Sequence, residues 1–243
     1  MKKKFYLAFT LAEVLITLGI IGVVAAMTLP ALIQNYNEKV TVTRVKKAYS
    51  IFSQGYEFVK EAYGTPNMWN LESGTADSSK EYINRFKPYI NITKICTVEE
   101  NCYVDNLYDL SKHEKHPWND RMYAQTNDGT IFWIYVFSSD CSFNVSDINS
   151  HLQNVCAEIA VDINGKNRPN TYGHDLFYFW ITKDLIIPKG TPDEDSTKVE
   201  GCDISKTNNN NGNNCAAWVI FNENLDYLHC SDLSWTGKKS CKK

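Results

Sequence analysis

The chain has 243 residues, 43% of them hydrophobic and 22% charged, with a formal net charge of −3. That length supplies one domain, or a domain with a subdomain, and ample material for a core. The mild acidity, with no basic patch or arginine stripe, excludes nucleic acid as the expected main partner.

The first element is a basic leader, Met1 to Ala8, carrying Lys2, Lys3 and Lys4. Removing it would take the net charge from −3 to −6. Phe9 to Ile33 follows, apolar apart from Glu13 near its start, and uncharged from Val14 to Met27. A hydrocarbon core about 30 Å thick needs about 20 such residues in a helix, so this run reads as a single-pass anchor. The leader lysines orient the N-terminus to the cytoplasm and the remaining chain outward, which makes membrane lipid the first expected partner. A carboxylate at this depth costs roughly 2.5–3.5 kcal/mol on insertion scales, so Glu13 calls for a partner. Lys4 and Lys39, the nearest cations on either side, are both too distant along the helix to serve.

Leader lysines, a small residue (Ala8), then Phe9-Thr10-Leu11-Ala12-Glu13-Val14-Leu15-Ile16 with Pro30 later in the run closely resemble the class III signal of type IV pilins and type II secretion pseudopilins. The resemblance covers about 25 residues. It implies cleavage by a prepilin peptidase between Ala8 and Phe9, N-methylation of Phe9, and a role for Glu13 in pairing with the N-terminal amine of a neighbouring subunit. It also implies a helical filament of like subunits at the bacterial inner membrane, with the head in the periplasm or outside, and admits nucleic acid as a partner only if the filament is a DNA-uptake pilus. Ala8 departs from the family's usual glycine before the cut. A competing reading is a conventional signal peptide cut after Ala26, leaving a secreted binding protein or hydrolase.

Beyond Pro30, residues 34–64 read as an amphipathic helix. Val45, Ala48, Tyr49, Phe52, Tyr56, Val59 and Tyr63 recur at three- and four-residue spacing, and Gly64-Thr65-Pro66 stops the helix. One helix from Phe9 to Tyr63 is expected, kinked or locally melted at Pro30. Residues 65–243 form the head. A short helix is expected within Ser78 to Pro88, capped by Ser78 or Ser79. His113 and His116 lie near Cys96 and Cys102, yet the spacing matches no ordinary zinc site.

Asn127-Asp128-Gly129-Thr130 reads as a hairpin turn with φ > 0 at Asp128 and Gly129, joining Met122–Gln125 to the strand Ile131–Phe137. Ala157–Ile163, Phe177–Thr182 and Trp218–Phe221 read as further strands. The fold class is therefore α+β: a long N-terminal helix laid on an antiparallel sheet, which is also the pilin layout. The connection from Asp162 to Asp175 alternates oxygen-bearing side chains around Gly165. Calcium held by Asp162, Asn164 and Asp175 is one reading, and a loop whose Asx side chains cap their own backbone is the other. Some pseudopilin heads carry a calcium loop, although no residue-by-residue alignment supports one here.

Eight cysteines lie beyond the apolar run, which for an exported protein reads as four disulfides. About 105 connectivities are possible. The expected one joins sequence neighbours, Cys96–Cys102, Cys141–Cys156, Cys202–Cys215 and Cys230–Cys241, because each pair brackets a loop. Thr207 to Asn214 is asparagine-rich and expected to be disordered within a cysteine-bounded region, 202–241. No catalytic motif is present, and an enzyme is not expected.

Overall fold

A computed structural model of the protein describes residues 10–194 and 201–241; the expected processing site at Ala8 and Phe9 lies outside them. Two compact units are defined, one up to Val40 and one from Thr41 onward. Helix α1 (Leu11–Tyr63) contributes to both. In the first unit its apolar side chains are exposed, from Leu11 through Leu15, Ile16 and Ile21 to Ile33. By length and composition this helix can cross a membrane. Of the two outcomes expected at Pro30, a melted turn does not occur: α1 is continuous through it. The lost N–H removes a single rung, and the pyrrolidine φ already suits a helix.

In the second unit, α1 buries the face expected from its spacing as far as Val59, with Val45, Phe52, Tyr56 and Val59 at 2% exposure or less, whereas Tyr63, at the helix end, is 46% exposed. Phe52 sits edge-on to Phe132 at 4.8 Å, and the Tyr56 hydroxyl donates to the Thr182 carbonyl at 2.7 Å. Helix α2 (Ala76–Phe86) packs beside it, its Phe86 ring 6.0 Å from that of Phe52. Thr75, rather than Ser78 or Ser79, caps α2: its hydroxyl accepts from Ser78 N, and Ser79 Oγ instead accepts from Met122 N. The Gly74 turn delivers Thr75 in the extended conformation that a cap needs, three residues ahead of its donor. Thr75→Ala should cost about 1 kcal/mol, lowering the head's Tm by a few degrees in a calorimetric melt.

The sheet has six antiparallel strands in the order β1 (Ile92–Cys96), β4 (Tyr123–Thr126), β5 (Ile131–Val136), β6 (Val155–Asp162), β7 (Leu176–Thr182), β8 (Ile186–Pro188). A separate hairpin joins β2 (Leu107–Tyr108) to β3 (Glu114–Lys115). In the β4–β5 turn only Gly129 has positive φ; Asp128 does not, and its carboxylate binds Thr126 Oγ1 and Thr130 N instead. One sheet face, with Phe132, Ile134, Ile159 and Phe179, meets α1 and α2 in a single core. The other face, with Trp133, Ala160 and Tyr178, is roofed by loops, which is why all eight residues of β6 are buried.

Trp218–Phe221 is helical, not a strand: it lies in α3 (Ala216–Asn222). Four apolar residues cannot discriminate the two periods. Here Cys215-Ala216-Ala217 extends the run so that Ala216, Trp218 and Val219 enter the core on one helical side. Helix α3 also protects the sheet edge, since Ala217 N donates to Lys189 O just past β8, while Tyr49 OH donates to Ile186 O.

Candidate functional site

At the start of α1, Thr10 and Glu13 form a reciprocal cap. Glu13 Oε2 accepts from Thr10 N and Thr10 Oγ1, both at 2.8 Å, and Thr10 Oγ1 accepts from Glu13 N at 3.2 Å. This is the capping box, Thr-x-x-Glu. It gives Glu13 a partner within its own turn that the search for a cation overlooked, although Thr10 and Glu13 stand three apart as the box requires. Only Oε2 is engaged in these bonds. Pro30, in contrast, lies well inside α1.

In the head, the structure brings Asp162, Asn164 and Asp175 together at the β6–β7 connection. Asn164 Nδ2 donates to Asp175 Oδ2 at 3.2 Å, and Asp162 Oδ1 accepts from Asn164 N at 3.2 Å. Asp175 also accepts from Asn170 N at 2.8 Å and Thr171 N at 2.6 Å, while Tyr103 OH donates to Asp162 Oδ2. The self-capping pattern is therefore present. Among the described residues no group of three or more His, Cys, Asp or Glu side chains is placed to hold a metal. Calcium takes six to eight oxygens, and these carboxylates already serve the loop's own donors. The bonds present are those of the self-capping loop, with Asn164 Oδ1 buried and without a hydrogen-bond partner among the described residues.

Burial pushes both carboxyls up, Asp162 well above its ordinary value and further raised by the facing Asp175. A raised folded-state pKa gives stability that is full below the unfolded value, near pH 3.8, and lost as pH rises through the folded value. Asp162→Asn should therefore flatten the fall in Tm between mildly acidic and alkaline pH, relative to the parent protein. Parallel pH slopes for the two proteins would contradict this assignment.

The histidines do not meet the cysteines. Cys96–Cys102 is a disulfide, His113 Nδ1 lies 3.0 Å from Asp109 Oδ2, and His116 faces the Asp105 carbonyl. The other disulfides are Cys141–Cys156, Cys202–Cys215 and Cys230–Cys241, the sequence-neighbour pairing. Thr207 to Asn214 is ordered, against expectation. Asn211 is fully buried, donating to Asp203 O, Lys206 O and Ser111 Oγ, and Asn210 N donates to buried Asp109. Asparagine amides replace apolar side chains as the packing unit, so a composition signal for disorder misleads here.

The sequence reading missed a buried charge network on the roofed sheet face. Lys189 Nζ lies 3.1 Å from Glu158 Oε2 and 4.0 Å above the Trp180 ring. Arg121 is sandwiched between the Trp118 and Tyr135 rings at 4.1 and 4.2 Å, with Nη1 3.9 Å from Glu158 Oε1. The available signal was Glu158 itself, a charge inside an otherwise apolar strand. A separate groove of about 550 Å³ opens between α1 and the β4–β5 turn, lined by Arg44, Lys47, Ile51, Tyr89, Asn91 and Asn127 among others.

Fold and sites define an α+β protein with one exposed apolar N-terminal helix and a head secured by four disulfides. The model of a family described as a family of unknown function (DUF6613) matches residues 31–201, well over half the sequence. The chain belongs to that family. The matched region begins after Pro30, so the prepilin-like motif lies ahead of it. No curated protein and no solved structure matches the sequence.

Proposed function

We propose that the protein is a structural subunit, a minor pilin or pseudopilin, of a type II secretion or type IV pilus-like filament. The observation that carries the reading is α1: its first half presents apolar side chains that are exposed among the described residues, and its second half anchors a disulfide-bonded head. Large exposed apolar surfaces call for lipid or a partner. Inner-membrane lipid covers the helix in storage, and the helices of neighbouring subunits cover it in the filament. The work is mechanical rather than catalytic. The motif around Ala8, Phe9 and Glu13 supports processing by a prepilin peptidase. Glu13 Oε2 stays on the capping box while Oε1 receives the N-terminal amine of a neighbouring subunit.

The test is mass spectrometry of the mature N-terminus from native membranes. N-methyl-phenylalanine at position 9 is expected. A start at Met27 would replace the filament reading with a soluble exported protein, and an intact Met1 would leave a plain membrane anchor.

A further inference from the structure

The groove beside α1 is built from two kinds of surface. Arg44, Lys47 and Ile51 stand three or seven positions apart and so share one helix face, forming one wall. The opposite wall carries Asn91 and Asn127, and buried Phe52 and Ile90 form part of the floor. Its volume, about 550 Å³, lies in the range of ligand sites, roughly 300–1,000 Å³.

Charge then narrows the occupant. Lys47 Nζ is held 2.6 Å from Asp128 Oδ2. Burial works against the Asp128 carboxylate, yet Lys47 and the neighbouring threonines keep its pKa below the usual range, so this pair is internally neutral. Arg44 is exposed and makes no ion pair or hydrogen bond among the described residues. One uncompensated guanidinium therefore faces a groove with an apolar floor. The side-chain amides of Asn91 and Asn127 likewise make no hydrogen bond among the described residues. Each offers a donor and an acceptor, the complement of a peptide unit.

We propose that this groove binds a short peptide segment of a partner protein, in which an apolar side chain sits beside a carboxylate. The apolar group rests against Ile51 and Tyr89, the exposed apolar side chains of the lining, the carboxylate meets Arg44 in a bidentate pair, and the intervening backbone meets the two asparagines. The carboxylate is the side chain of an internal Asp or Glu of that segment. This site goes beyond the filament reading and does not depend on it.

The experiment uses the full-length protein in lipid nanodiscs and two photo-cross-linking probes. One is acetyl-Gly-Ser-benzoylphenylalanine-Asp-amide; the other ends at benzoylphenylalanine with a free carboxylate. Cross-links mapped by mass spectrometry should fall on Ile51, on residues 89–91 or on residues 126–130. Yield should drop about tenfold in Arg44→Gln, and equally when Asn replaces Asp in the first probe. It should be unchanged in Lys94→Gln, which removes an exposed cation on β1 away from the groove. The first probe should give the higher yield, and a higher yield from the C-terminal carboxylate of the second would overturn the internal assignment. Cross-links scattered along residues 11–36, or yields unaffected by Arg44→Gln, would overturn the proposal.

Discussion

Lys189→Met should destabilise the head by about 3–5 kcal/mol, one of the two largest effects expected from any single side chain here. Lys189 and Glu158 are 5% and 7% exposed, and their contact at 3.1 Å is a charge-assisted hydrogen bond within a wall of aromatic rings. Removing the ammonium leaves the Glu158 carboxylate desolvated, with Arg121 Nη1 at 3.9 Å, beyond hydrogen-bond distance, as the remaining cation beside it. The large penalty arises from that stranded charge, not from the net worth of the pair. The double variant Glu158→Leu, Lys189→Met should accordingly recover most of the loss, because an apolar pair of similar volume is often neutral or better. Chemical denaturation of parent, single and double variants, with disulfides intact, measures both terms. A single variant within about 1 kcal/mol of the parent would show that the carboxylate is solvated after all, and a double variant worse than the single would show that buried Arg121, left without Glu158, carries the larger penalty.

Much of this head was legible in the sequence where one strong local signal acts alone. The α1 face follows from three- and four-residue spacing, and every residue from Val45 to Val59 named by that pattern is buried or half-buried. The central strands β5, β6 and β7 combine β-branched and aromatic runs with tight turns, and the cysteine pairs close short loops. What escaped was decided by tertiary context. β1 and β8 are edge strands too short for a period to show, although Ile92, Thr93, Ile95, Ile186 and Ile187 are β-branched, and they are strands because β4 and β7 offer them partners. The Trp218 run carries strand-like residues and becomes a helix because its alanines and Val219 face the core. At the candidate sites, side-chain identity pointed to the right loop at Asp162–Asp175. The bonding there depends on Tyr103, which arrives from a distant segment held by Cys96–Cys102. Glu158 gave a signal, a charge within an apolar strand, but its two cations lie 37 positions back and 31 ahead, beyond any local pattern.

Gly190→Ala should destabilise the head by roughly 3–5 kcal/mol, summing backbone strain and a steric collision. Gly190 adopts φ +94°, a conformation that side-chain-bearing residues rarely take, and a Cβ there would stand 1.8 Å from the Asn214 carbonyl oxygen. The obstacle is backbone, so no rotamer change relieves it. Asn214 in turn is fixed by Cys215, disulfide-bonded to Cys202, and by the start of α3, whose Ala217 N donates to Lys189 O. Displacing Asn214 would therefore pull at the β8 edge, the Cys202–Cys215 loop and the asparagine-rich segment together. This predicts a specific pattern in hydrogen exchange: faster exchange at residues 210–217 and at the end of β8, with β5 and β6 retaining the protection of the parent core. Uniform acceleration across the sheet would mean that the close approach at Gly190 governs global rather than local stability. Unchanged exchange at residues 210–217 would mean that the backbone accommodates a Cβ there, and that this contact does not order the loop.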